Sequence, residues 1–114
     1  MQFVEFREII KKRASIDEEW YTEIEKCWEE MTNVFSVDIR KTILFLDVCT
    51  ADEFSLLSEI FDNIAKKTHS KDFIAALRKT ADKYPEETNR YNILDFIVSA
   101  ECIVDCEQAS KSQA

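Results

Sequence analysis

The feature that most constrains this chain is that its 114 residues include no glycine and a single proline. Without glycine there can be no glycine-rich phosphate loop, no dinucleotide-binding fingerprint and no nucleophile elbow. The glycine-dependent turns of short β-hairpins are missing too, which disfavours an all-β fold. Because apolar residues recur at helical spacing along most of the chain, we predict an all-α fold.

Length and composition are those of one globular domain. A chain of this size can bury a core without metal or disulfide staples, and its hydrophobic content of 46% is typical of a folded protein. We predict a single domain over residues 1–106, with about six helices packed as antiparallel hairpins, and a flexible tail over residues 107–114. The N-terminus lacks the apolar run of a signal peptide and no segment reaches transmembrane length, so we expect a cytoplasmic protein that binds no membrane.

The middle of the chain predicts a helical hairpin. Thr50 and Glu53 have the spacing of a capping box, which begins the first arm. Ser70 can cap the second arm, and Pro85 ends it because it restricts the residue before it. Three acidic side chains fall on one face of the first arm, and we call them the acidic ridge: Asp52, Glu59 and Asp62.

Further helices are predicted on both sides of this hairpin. The first covers residues 2–13, and Ser15 or Asp17 begins a second that ends near residue 34. The third is expected over residues 37–48 with Ser36 as its cap, and the last follows Pro85, with its strongest part at residues 91–106. The apolar stripe of the second helix predicts six inward side chains: Ile16, Trp20, Ile24, Cys27, Met31 and Phe35.

Residues 42–49 leave two interpretations open. The run from Thr42 to Leu46 is apolar on most sides, so we expect it at the centre of the fold together with the last helix. Periodicity alone does not separate a buried helix from a buried strand in so short a run. Since no partner strand is visible, a helix is favoured.

Charge indicates the kind of partner. The chain has 23 acidic and 15 basic residues, for a net charge of -8, and the second helix concentrates its acids on the face opposite the apolar stripe. Such a surface repels nucleic acid and attracts a basic protein. A solvated helix face is the simpler explanation, although the acids exceed what solubility requires.

Residues with catalytic or metal-binding potential are few. His69 is the only histidine, and it lies in a predicted turn far from every cysteine. Cys102 and Cys106 are one helical turn apart, but no further ligands have zinc-site spacing. We therefore predict no catalytic residue, no metal and no cofactor, and an enzyme that uses buried carboxylates or this cysteine pair is the third-ranked hypothesis.

One order of residues covers the middle and end of the chain: Thr50, Asp52, Glu53, Phe54, Leu57, Ser58, Glu59, Ile60, Phe61, Asp62, Ser70, Phe73, Leu77, Tyr84 and Pro85. This order resembles a group of small acidic helical bacterial proteins, the immunity proteins paired with polymorphic or contact-dependent growth-inhibition toxins. No likeness is found in residues 1–40. The resemblance implies a stoichiometric inhibitor that binds a cognate toxin domain, often a nuclease, and it supplies no catalytic residue.

The leading hypothesis is therefore an immunity protein that neutralises a basic toxin domain through acidic surfaces. The alternative is a helical adaptor or scaffold that binds another basic protein through the same surfaces. A nuclease must be basic to hold its substrate, and an acidic inhibitor would be steered to that site. Seven residues are predicted to contact the partner: Asp52, Glu59, Asp62, Glu18, Glu19, Glu25 and Glu29.

Overall fold

The computed structural model describes the backbone of residues 3–113 and the side chains of residues 3–105. The described residues form no strand, so the all-α prediction is confirmed. The predicted tail over residues 107–114 lies outside the described side chains. The helices are α1 (Val4–Ser15), α2 (Tyr21–Ser36), α3 (Ile39–Val48), α4 (Ala51–Leu57), α5 (Phe61–Thr68), α6 (Lys71–Lys83), α7 (Pro85–Arg90) and α8 (Ile93–Gln113), with a 3-10 turn over Ser58–Ile60.

The predicted caps of the central hairpin are confirmed. The Thr50 amide donates to the Glu53 carboxylate over 2.8 Å, and the Glu53 amide donates to the Thr50 hydroxyl over 3.2 Å, which completes the capping box. Ser70 caps α6 by accepting from the Phe73 amide. Pro85 occupies the start of α7, where a missing N–H has no cost.

Two helix beginnings were predicted wrongly. Ser36 is the last residue of α2 and does not cap α3. Asp38 caps α3 instead, because its carboxylate accepts from the Lys41 amide over 3.3 Å. The second helix begins at Tyr21, since residues 17–20 form a turn in which the Trp20 amide donates to the Asp17 carbonyl.

Two of the predicted helices are each divided. The first arm of the hairpin breaks at the 3-10 turn, and the segment after Pro85 breaks between α7 and α8. His69 and Asn92 have φ of 47° and 53°, so they hold the left-handed positions that glycine usually takes. His69 follows α5 as its C-cap, and Asn92 directly precedes α8.

The core is one cluster of buried side chains from α1 to α6 and from α8. α8 packs on α5, α6 and α7. α1 packs on α2 and α4, while α3 packs on α6 and α2. Residues 42–48 are helical, which removes the strand alternative. Five phenylalanines are among the largest fully buried side chains: Phe35, Phe45, Phe54, Phe61 and Phe73.

Neither α3 nor α8 is buried as widely as predicted. Leu44 and Val48 on α3 are half exposed, and so are Leu94, Phe96 and Val98 on α8. Each helix buries one face only, because its neighbours cover a single side. Within the part of the chain that the structure describes, no helix is both long enough and apolar enough to cross a membrane.

Candidate partner-binding surface

The three carboxylates of the acidic ridge do not form one free surface. Asp52 is exposed on α4. Glu59 lies in the 3-10 turn and pairs with Arg13, while Asp62 on α5 accepts from the Ser99 hydroxyl over 3.0 Å. The expectation of a continuous ridge was wrong because the 3-10 turn interrupts the helix and core-side partners engage two of the acids. Their part in partner binding stays a prediction.

Glu59 belongs to a partly buried polar cluster. Arg13 of α1 is only 3% exposed, and its Nε and Nη2 donate to the two Glu59 oxygens over 2.7 and 2.8 Å. The Trp28 indole N–H donates to the same carboxylate over 3.1 Å. Two parallel bonds of this kind are strong and directional, so the cluster fixes α1, α2 and the 3-10 turn relative to one another.

The charge of this cluster is balanced internally. Burial lowers the pKa of Arg13, but the hydrogen bonds and charge of Glu59, with a smaller contribution from Glu18, outweigh that effect, so the pKa lies above its ordinary value. Sequence reasoning missed the pair because Arg13 and Glu59 are 46 positions apart. Helical spacing gives no signal for a contact between residues that are so far apart in the sequence.

The acids around α2 are in a different situation. Glu25 and Glu29 are exposed one turn apart on α2, while Glu18 and Glu19 lie in the preceding turn. Glu18 reaches Arg13 at 3.5 Å, but its side chain is 84% exposed. Among the described residues, none of the other three forms an ion pair. We call these four residues the acidic face.

Other acids near α2 are neutralised. Glu23 pairs with Lys26 at 3.6 Å, and Glu30 pairs with Lys12 of α1 at 2.9 Å. Two like charges at positions i and i+4 of a helix destabilise it slightly, so Glu25 and Glu29 are unfavourable for α2 by itself. A basic partner would relieve this repulsion.

Exposed aromatic side chains flank the acidic face. Trp20 is 64% exposed and Tyr21 is 60% exposed, and the Tyr21 ring meets Trp28 edge to face at a centroid distance of 6.0 Å. The prediction that Trp20 points inward was wrong, because α2 begins at Tyr21 and Trp20 is its N-cap. The other five residues of the predicted stripe are buried or half-buried.

An open cleft of about 470 Å³ runs between α2 and α5 beside these aromatic residues. Glu25, Trp28 and Glu29 line it on the α2 side, and Lys66 and Lys67 line it on α5. The Lys67 ammonium donates to the Asn33 side chain, which lies at the far end of α2. The cleft is therefore acidic toward the start of α2 and basic toward its end.

The cysteines and the histidine do not assemble into a site in the described residues. No group of three or more His, Cys, Asp or Glu side chains that could hold a metal occurs among them. Cys27 and Cys49 are buried, Cys102 is exposed, and Cys106 lies outside the described side chains. Burial raises the pKa of the Cys49 thiol to about 11, and it raises the pKa of Cys27 as well.

Thiol alkylation should follow this burial pattern. With iodoacetamide near neutral pH, we expect Cys102 to be modified well before Cys27 and Cys49, because burial suppresses both the thiolate and its accessibility. Peptide mass spectrometry of timed samples measures the three rates, and addition of urea should make them similar. Fast modification of Cys49 in the native protein would contradict the buried position of its thiol.

A scan against protein-family models, a search of curated proteins and a search of solved structures each found no match. The resemblance to immunity proteins therefore stays a prediction.

Proposed function

We propose that this protein is a stoichiometric inhibitor that binds a basic protein domain through the acidic face, and that this domain is a cognate toxin, as the resemblance to immunity proteins implies. The observation that carries the proposal is the contrast between acids. Those at Glu30 and Glu59 are engaged by basic side chains, whereas Glu19, Glu25 and Glu29 project without an ion-pair partner among the described residues.

Electrostatics supports a basic partner. The net charge of -8 has the sign that attracts a positively charged domain, and electrostatic steering of this kind raises association rates by about 10- to 1,000-fold in favourable cases. The exposed rings of Trp20 and Tyr21 supply the kind of anchor that dominates binding energy at protein interfaces. A toxin that cleaves nucleic acid has a basic active-site surface, so an acidic inhibitor would cover the site that its substrate uses.

The structure changes the ranking of the seven candidate residues. Glu59 and Asp62 hold the fold together through Arg13 and Ser99, so a partner that used them would have to break those contacts. Asp52 forms no ion pair within residues 3–105, but it lies on α4 and not beside α2. We therefore assign the leading role to the acidic face and a secondary role to Asp52.

Co-expression tests the proposal. The gene is expected directly downstream of one that encodes a toxin domain, and a tag on either protein should recover the two as a 1:1 complex that protects the cells. If the protein is folded, the toxin remains lethal and neither protein recovers the other, the immunity function is wrong. The adaptor alternative then becomes the better explanation of the acidic face.

Removing the charge of the acidic face should weaken the complex. The variant E18Q/E19Q/E25Q/E29Q keeps side-chain size, and we expect its Kd to rise by roughly tenfold or more at low salt, mainly through slower association. Surface plasmon resonance at several salt concentrations measures both rates, and the variant should show the shallower salt dependence.

A matched control changes charge by the same amount elsewhere. The variant E5Q/E8Q/D82N/E86Q alters four acids that are exposed and form no ion pair within the described part of the chain. We expect it to retain most of the wild-type affinity. Equal losses in the two variants would show that net charge alone acts and that the acidic face is not the contact surface.

A further inference from the structure

One helix face of α2 combines aromatic rings with carboxylates. Tyr21, Glu25, Trp28 and Thr32 follow one another at positions i, i+4, i+7 and i+11, which places them on a single stripe, and Glu29 borders it. Tyr21 and Trp28 are in edge-to-face contact, and the indole bond to Glu59 holds the Trp28 ring in place. The stripe is therefore a preformed surface and does not depend on a mobile loop.

The rings of this stripe differ from four other aromatic rings of the protein, which each have a cation over them. Phe6, Phe45, Tyr84 and Tyr91 each have a lysine or arginine within 5.0–5.6 Å of the ring centroid. Across residues 3–105, no such cation lies over Tyr21 or Trp28. The one basic residue of α2, Lys26, is directed to Glu23. Within that range, the stripe therefore presents rings that no cation of the chain covers, next to the carboxylates of Glu25 and Glu29.

The cleft beside the stripe leaves room for an incoming side chain. Glu25 and Trp28 line it. Lys67 of the opposite wall donates to Asn33, which is eight residues, or about 12 Å, beyond Glu25 along the helix. A cation that enters at the Tyr21 end meets two carboxylates first. A second copy of this chain is a poor occupant, because each copy has a net charge of -8.

We propose that the stripe formed by Tyr21, Glu25, Trp28 and Glu29 binds an arginine or lysine side chain of the basic partner. The cation stacks on the aromatic rings while the two carboxylates accept its hydrogen bonds. Arginine fits better than lysine, because its planar guanidinium can stack and donate at the same time. This inference rests on the proposed function, since it identifies what the acidic face recognises on its partner.

A pair of peptides tests the recognition without knowledge of the partner. The probes are acetyl-Ser-Arg-Ser-Arg-Ser-Arg-amide and the same peptide with citrulline, which has a similar shape but no charge, in place of arginine. Titration of the full-length protein, followed by the indole signals of its tryptophans in 1H-15N NMR spectra, gives a Kd for each. We expect the arginine peptide to bind at least about tenfold more tightly than the citrulline peptide.

Matched variants locate the binding. Y21A removes an exposed ring at the start of α2, and E25Q/E29Q removes the two charges; each should weaken arginine-peptide binding about five- to tenfold. Y91A and D82N/E86Q make the same changes at exposed positions elsewhere and should leave the Kd unchanged. The inference would be overturned if both peptides bound equally well or if neither showed saturable binding. It would also be overturned if the control variants lost as much affinity as Y21A and E25Q/E29Q, or if the protein formed a dimer that Y21A dissociates.

Failure of the inference and failure of the proposed function give different results. If the protein neutralises its toxin and Y21A neutralises it equally well, the proposal that the stripe binds a basic side chain is wrong and the inhibitor function stands. If the arginine peptide binds in a Tyr21-dependent way but no toxin is neutralised, the stripe does bind a basic side chain and the immunity function is wrong.

Discussion

Replacement of Glu59 by alanine is expected to destabilise the protein by about 3 kcal/mol, because it leaves the Arg13 guanidinium buried without its carboxylate. Arg13 is 3% exposed, and the substitution removes the acceptor of two of its hydrogen bonds. We place the loss at the low end of the range for buried pairs because the Glu59 side chain is itself partly exposed. Urea denaturation followed by circular dichroism measures the free energy of unfolding.

Glu18 provides the control for this change. It contacts the same guanidinium at 3.5 Å, but its side chain is largely solvated, so Glu18→Ala should cost less than about 1 kcal/mol. The double variant R13M/E59L should recover much of the loss, since an apolar pair of similar volume needs no desolvated charge. A Glu59→Ala variant as stable as the wild type would show that the pair contributes little to the fold.

Phe61→Ala is expected to cost about 3–5 kcal/mol, because its ring is fully buried and its removal leaves a cavity in the core. Phe61 is 1% exposed and meets Phe54 and Phe73 at centroid distances of 5.7 and 6.2 Å. The measurement is again the free energy of unfolding in urea. Phe96→Ala serves as the control, since Phe96 is exposed and its truncation should cost well under half as much.

A small effect of Phe61→Ala would have a definite meaning. A loss below about 1 kcal/mol would place the ring outside the core and contradict the packing of α5 against α8. If Phe61→Ala and Phe96→Ala lowered the free energy of unfolding by similar amounts, α8 would have to be rotated so that Phe96 is buried.

Local signals allowed much of the fold to be predicted. The capping box at Thr50, the cap at Ser70 and the position of Pro85 each depend on residues within three or four positions of one another, and all three were confirmed. Five of the six inward positions predicted for the second helix are buried or half-buried, because helical periodicity is also a local signal. A chain without glycine also leaves few alternatives to helices.

Contacts between distant residues could not be predicted in this way. Helical spacing placed Glu59 on an outer face, but the 3-10 turn and the approach of Arg13 converted it into a structural residue. Trp20 fitted the apolar stripe of α2, yet a later helix start left it exposed. The sequence located the acids of the proposed binding surface. Only the fold separated the acids that form ion pairs within the described residues from those that do not.

The polar cluster and the proposed binding stripe share Trp28. Its indole N–H donates to Glu59, and its ring lines the cleft between α2 and α5. The cluster therefore orients a ring of the proposed stripe and also joins three helical segments. On this account, Glu59 acts on partner binding indirectly, through the position of Trp28.

The most direct test of the account compares toxin neutralisation by three forms of the protein in the same cells. The wild type and the control variant E5Q/E8Q/D82N/E86Q should both protect cells that express the neighbouring toxin domain. The acidic-face variant E18Q/E19Q/E25Q/E29Q, at equal abundance and with an unchanged melting temperature, should protect poorly. Full protection by the acidic-face variant would contradict the claim that this face binds the partner, and no protection by the wild type would contradict the immunity function itself.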